Sequence, residues 1–355
     1  MILVRRRVGG LPTGPARVAG TRNADLSLGD RIFQWVSGVA AVAPLAGLGL
    51  ILAIMVIWAI PAIIYSGTSF FTSTKFFIGN LYAPTLTVQN GISAPHGAIY
   101  GALTFIIGTA FTSLIALILA VPISVGGVLM LSEWIPSRLE GPLSTFLELL
   151  AGIPSVVFGF WGLTVLGPIL SQHVYPVLSH LGAVIPFFKG PWAFNGQGLL
   201  TASLVLTLMI IPIIASTTRE LVKRVPVLAK EGALALGMTR YETVRVVTIP
   251  YVRTGIIASA LLGWGRALGE TIAVLLIIGM AFNPPANVYG TTATLASVIA
   301  NQLDEAFSDF TGMAVRGLAE LGLLLLVISL LTNLAARLVV RRVSGEALLP
   351  VGRGI

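Results

Sequence analysis

The 355-residue chain contains no cysteine and only three histidines, and charged residues make up just 10% of it. Without a thiol, disulfides, thiolate catalysis and cysteine-based metal sites are all excluded. His96, His173 and His180 stand apart with no HExxH-type pair, so each reads as an interfacial loop residue rather than a ligand. The four lysines, Lys75, Lys189, Lys223 and Lys230, follow Thr, Phe, Val and Ala, which leaves no GxxxxGK[ST] cradle for a nucleotide phosphate. A soluble domain carries about 25% charged residues. With 55% hydrophobic residues and a mean hydropathy of +0.93, this chain reads as an integral membrane protein. No His/Asp metal pair or Ser–Lys dyad lies inside its apolar runs, so an intramembrane enzyme finds no support.

What is present is a series of apolar runs. Val36–Tyr65, Ala98–Leu131, Leu143–Leu170, Leu199–Thr218, Gly255–Met280 and Met313–Val340 are each read as a span, because about 20 apolar residues cross the hydrocarbon core as a helix. Pro44 and Pro61 fall near the ends of the first span, while Pro122 predicts a tilt or break in the second and Pro154 a disturbance in the third. The stretches 66–97, 171–197 and 283–312 read as loops. Glu148, in the third span, reads as a packing or partner-facing residue.

Six spans place both ends on one side, and the basic residues decide which. Six Lys or Arg precede the first span, one lies in 133–140, seven in 219–253 and four at the C-terminal end; Lys75, Lys189 and Arg316 fall on the other side. Both termini are therefore expected in the cytoplasm. The net charge of +8 follows from membrane orientation and calls for no nucleic acid. The expected organisation is a basic cytoplasmic tail (1–30), a first transmembrane helix with an extracytoplasmic loop (31–97), a core (98–340) holding the cytoplasmic segment 219–253, and a cytoplasmic C-terminal tail (341–355). Arg5, Arg6 and Arg7 are followed by glycines and prolines instead of an apolar stretch, so the tail does not read as a secretory signal.

Two stretches carry chemistry. The first, Gly255–Met280, holds Arg266 and Glu270 within an apolar run, and as one helix their i,i+4 spacing sets both on one face. A charge at mid-membrane costs about 2.5–3.5 kcal/mol on insertion scales, so it faces protein or a wet path. The pair is therefore either a structural lock between helices or a charged gate for a substrate. The second stretch, 219–253, repeats Leu228, Ala229, Gly232, Ala233, Leu236 and Gly237 at helical intervals. Gly237 predicts a helix stop, and Tyr241–Val247 a second short helix ending before Pro250. Such a face, with no partner foreseen inside the chain, fits a groove on another protein or the lipid surface.

The run Glu231-Gly232-Ala233, then Gly237, then Val247-Thr248-Ile249-Pro250, resembles the EAA loop of ABC importer permeases, with Gly232, Val247 and Ile249 departing from the consensus within their size class. GRALGETIAV (Gly265–Val274) and LELLAGIPSVVFG (Leu147–Gly159) resemble the signature segments of permeases of the phosphate-specific transport (Pst) system, and TLASVIANQ (Thr294–Gln302) is closer to the PstC-type subunit. The resemblance covers roughly residues 98–340 and leaves the N-terminal tail and the 66–97 loop outside it. It implies an all-α, six-helix type I ABC importer permease (MetI-like) in a bacterial or archaeal plasma membrane. This would be half of a permease pair with a PstA-like subunit, over a PstB-like ATPase dimer, served by an extracytoplasmic PstS-like phosphate-binding protein. It further implies inorganic phosphate as substrate, ATP and Mg on the ATPase and no cofactor on this chain. Arg266 and Glu270 would lie in the phosphate path, with Ser155 beside Pro154 as a further candidate donor. Glu231, Gly232, Ala233, Gly237 and Pro250 would belong to the ATPase-coupling element. The rivals are a permease for another oxyanion such as sulfate or molybdate, and a stand-alone secondary transporter or channel.

Overall fold

The computed structural model describes residues 28–345 except Pro84; the expected tails, 1–30 and 341–355, lie outside the described residues save for 28–30 and 341–345, which are helical. The chain divides into two units, Met1–Ala53 and Ile54–Ile355. The first is, over its described part, the opening two-thirds of a 39-residue helix, α1 (Leu28–Ser66). Its apolar side chains, among them Phe33, Trp35, Val39 and Leu48, are exposed throughout, as suits a helix whose solvent is lipid.

The second unit starts with the end of α1 and two small antiparallel pairs, β1 (Phe76–Phe77) with β4 (Ile99–Tyr100) and β2 (Leu86–Gln89) with β3 (Ile92–Pro95). The 66–97 stretch expected to be a loop thus carries short strands. Asn90 and Gly91 close the β2–β3 turn with positive φ. Four long helices follow: α2 (Leu103–Glu133), α4 (Ser155–Ala183), α5 (Leu199–Lys223) and the helix Arg240–Leu268 (α7), each long and apolar enough to cross a membrane. Between them stand α3 (Ser137–Ala151) and α6 (Val227–Ala235), and after α7 come α8 (Ile272–Ile277), α9 (Leu295–Phe307) and α10 (Met313–Gly345), whose 313–342 stretch also qualifies as a span.

Several expected boundaries change. The third span is Ser155–Ala183, not Leu143–Leu170, because Gly152 and Pro154 end α3 and restart the chain; Glu148 is on α3 and exposed. That span runs on through two π-turns (Gly162–Leu166 and Leu170–Val174), so His173 and His180 are helical, with Nδ1 beside the Ile169 and Val177 carbonyls. Helix α2 passes unbroken through Pro122. The 283–312 loop contains α9, started by a capping box in which Thr294 and Ser297 exchange side-chain bonds.

The core is built around α5, 72% of whose most apolar stretch is buried. Helix α2 runs parallel to it, with Ser124 Oγ donating to the Ile211 carbonyl at 3.2 Å, and α7 runs antiparallel, with Thr218 and Ser259 hydroxyls 3.1 Å apart. Small residues permit this closeness: a Cβ on Gly263 would stand 2.9 Å from Ile214. Trp264 Nε1 donates to Ser113 Oγ at 3.1 Å and ties α7 to α2 as well.

Candidate functional site

The expected unbroken helix Gly255–Met280 is two helices. α7 ends at Leu268, Gly269 caps it with ψ near 0°, and α8 begins at Ile272. The physical cause is local: Gly265 and Gly269 weaken the last turn, and Thr271, with φ −110°, turns its hydroxyl back to the Gly269 carbonyl at 3.1 Å. Arg266 therefore sits in the closing turn of α7 and Glu270 in the break, so the expected placement of both on one helical face does not hold. No ion pair joins them among the described residues, where the ion pairs are those of Glu133 and Glu140. Arg266 is exposed and Glu270 half-buried. A cation at a helix C-terminus is favoured by the macrodipole, which offsets part of the cost of placing it there.

The depth of this break follows from helix register. Gly255 packs on Leu221, Ser259 on Thr218, and Gly263 on Ile214 and Ile210, so Arg266 stands level with Met209 of α5. That is about 15 Å along the helix from Leu199, half of a roughly 30 Å hydrocarbon core. The helix carrying the guanidinium ends at that level. Ala258, Leu262, Arg266 and Gly269 are exposed along α7.

A second break lies at the same level. A cavity of about 300 Å³ is lined by Ile153, Val157, Phe158 and Trp161 together with Leu208 and Ile211 of α5, which sets the Gly152–Pro154 break at the depth of Arg266. The start of α4 packs along α8 in parallel register: a Cβ on Gly159 would lie 2.9 Å from the Cα of Ala273, and one on Gly162 2.6 Å from Ile277. Ser155 is the first residue of α4, next to Pro154. Ser155 is half-buried, and its hydroxyl has no hydrogen-bond partner among the described residues. Arg266 and Glu270 thus flank one helix interruption, and Ser155 opens the helix after another. Irregular backbone at membrane depth persists only inside protein or along a water-filled path, and discontinuous helices of this kind form midplane sites in transporters.

The segment 219–253 forms the other site. α6 starts after Pro226, and Gly237, at φ +87°, turns the chain out of it with its N–H on the Leu234 carbonyl at 2.9 Å. Thr239 and Glu242 make a capping box for the next helix. That helix does not end before Pro250 as expected. A π-turn at Val244–Thr248 absorbs the missing N–H, and the helix continues as α7, so Pro250 lies inside a rigid rod that reaches Arg266. Val227, Leu228, Leu236 and Tyr241 are exposed by 65%, 82%, 82% and 63%, which is a large apolar surface beside basic residues. Glu231 and Gly232 are exposed, and Ala233 is buried.

The polar side of α6 does have a partner inside the chain, which sequence reasoning missed. Lys230 Nζ lies 2.5 Å from Glu133 Oε1, at the end of α2. Arg219 and Lys223 hold Glu140 of α3 at 3.0 and 3.2 Å. The hydrogen-bonded Arg219 guanidinium, and next Lys223, keep the Glu140 carboxyl below its ordinary value of 4.5. The available signal was the pair of acids bracketing the short 133–140 turn, complementary to the basic segment.

Fold and site together define a membrane protein with six candidate spans among the described residues, two helix interruptions and an exposed apolar helix between the fourth and fifth spans. Residues 95–345 match the family described as the binding-protein-dependent transport system inner membrane component. The chain is 51% identical over 326 residues, 91% of its own length and 96% of the relative's, to the "Phosphate transport system permease protein PstC 1" of Mycobacterium tuberculosis. It is 44% identical over 248 residues, 68% of its length and 76% of the relative's, to the "Phosphate transport system permease protein PstC" of Haemophilus influenzae. Among solved structures, a chain of a bacterial alginate ABC transporter in complex with an alginate pentasaccharide-bound periplasmic protein shares the fold, with a TM-score of 0.52, 18% identity, and coverage of 88% of this chain and 97% of that one. This chain belongs to the binding-protein-dependent transport system inner membrane components, in their PstC branch.

Proposed function

We propose that the chain is the PstC-type half of an ATP-driven importer of inorganic phosphate, with Arg266 contacting the anion as it crosses. The observation that carries this reading is the exposed guanidinium partway along the span, at a helix break and without an acidic partner among the described residues. Its relatives are named for phosphate transport, which supports phosphate over sulfate or molybdate. Moving a dianion against a potential of 100 mV costs about 4.6 kcal/mol, so an energy source and a cation in the path are both required. Arg supplies a planar fork matched to phosphate oxygens and remains charged when desolvated. Glu270, half-buried at the same break, repels an anion that lingers. Ser155 donates a hydrogen bond to a passing oxygen.

In the same reading both termini are cytoplasmic, ATP and Mg bind a PstB-like ATPase dimer, and a PstA-like permease completes the path. A PstS-like protein delivers phosphate from outside. The exposed apolar face of α6, with Glu231, Gly232 and Ala233, docks into the ATPase, and the rod from Arg240 through Pro250 to Leu268 carries the motion to Arg266. The test is phosphate uptake by the reconstituted complex carrying Arg266→Ala. ATP-driven uptake falls to background while the subunits still co-purify; uptake at the wild-type rate refutes the assignment.

A further inference from the structure

Two routes of covalent chain lead from α6 into the membrane. One goes back through Pro226 to α5, the other forward through Gly237 to α7. A third route is non-covalent. Lys230 Nζ meets Glu133 Oε1 at 2.5 Å, with side chains only 22% and 16% exposed, and Arg240 Nη1 donates to the Glu133 backbone carbonyl at 3.5 Å. Both basic residues therefore converge on the residue that ends α2. Beyond Glu133 the chain turns through Pro136 into α3, whose other side is fastened to α5 by Glu140 with Arg219 and Lys223. The far end of α3 is the Gly152–Pro154 break, level with Arg266.

We propose that Glu133 is a positioning residue for coupling: through its bond to Lys230, motion imposed on α6 is passed to α2 and α3 and so to the α3–α4 break. This proposal rests on the reading of α6 as the ATPase-docking helix. A shielded, charge-assisted bond suits the role, since it is short and directional and has little water to exchange with. The covalent joints on either side of α6 are short non-helical turns, residues 224–226 before it and 236–239 after it. The bond to Glu133 is the ion pair that ties α6 to the end of α2.

The test uses the complete complex in liposomes, with phosphate transport and ATP hydrolysis measured on the same preparation. Glu133→Gln and Lys230→Met remove the bond from opposite ends, so a folding failure in one leaves the other readable. Each is expected to lower the phosphate moved per ATP by about fivefold or more, the scale of a typical coupling energy, with hydrolysis still running. The double variant is no worse than either single one, and the exchange Glu133→Lys with Lys230→Glu restores the ratio. A merely structural pair would lower assembly and leave the ratio unchanged. A wild-type ratio in both single variants, failure of both to assemble, or an assembled exchange variant that is not restored overturns the proposal. Absence of phosphate transport by the wild-type complex instead refutes the proposed function.

Discussion

Gly159 and Gly232 make a matched pair for testing how the two broken helices are held. Both are helical glycines, and replacing either by alanine gains about 1 kcal/mol of helix propensity. Their surroundings differ. A Cβ at Gly232 meets nothing within 4 Å, whereas one at Gly159 falls 2.9 Å from both Ala273 Cα and Leu276 Cδ1 and 3.3 Å from the Ala273 carbonyl oxygen. The nearest of these is backbone, so α8 must move away, and overpacking of this kind costs about 1–3 kcal/mol. Gly159→Ala is thus expected to lose about 1 kcal/mol net, and Gly232→Ala to gain up to about 1 kcal/mol. At roughly 2 °C per kcal/mol for a chain of this size, the two variants separate by about 4 °C in a detergent melt. Because α4 and α8 set the relative position of Ser155 and the Arg266 break, Gly159→Ala also lowers phosphate uptake. Gly232→Ala restores the alanine of the EAA consensus and leaves uptake intact. Equal melting temperatures, or a Gly159→Ala protein more stable than wild type, would refute the packing assignment.

Two further outcomes follow from named bonds. Asp309 is 7% exposed and caps the start of α10, accepting the backbone N–H groups of Thr311 and Ala314, each at 2.8 Å; Asp309→Ala is expected to cost about 1–2 kcal/mol, read in the same melt, with Asp309→Asn closer to wild type. Because the folded Glu140 carboxyl is held below its ordinary value of 4.5, its bonds to Arg219 and Lys223 contribute fully above that value and are lost as the pH falls through the lower folded value. Glu140→Gln should remove that part of the acid sensitivity, and an unchanged pH–stability curve would show the link contributes nothing.

Composition and patterning alone determine that this chain lives in a membrane, crosses it six times, and carries a basic segment between its fourth and fifth crossings. Each of these is a property of residue sums over twenty or so positions, and such sums survive errors at single sites. The arginine of the RALGE run stands out in the sequence for a related reason: a charge is costly within an apolar run. The helix ends were not legible in the same way. Gly269 and Pro122 look alike as breakers, yet only Gly269 ends its helix, because continuation depends on what packs against the next turn. Nor could spacing show that Arg266 and Glu270 part at a break, that the start of α4 packs along α8, or that Glu133 and Lys230, 97 positions apart, share a bond. Those juxtapositions are set by glycine contacts between α4 and α8 and by the packing of α7 on α5, and they come into being only when the helices are packed together.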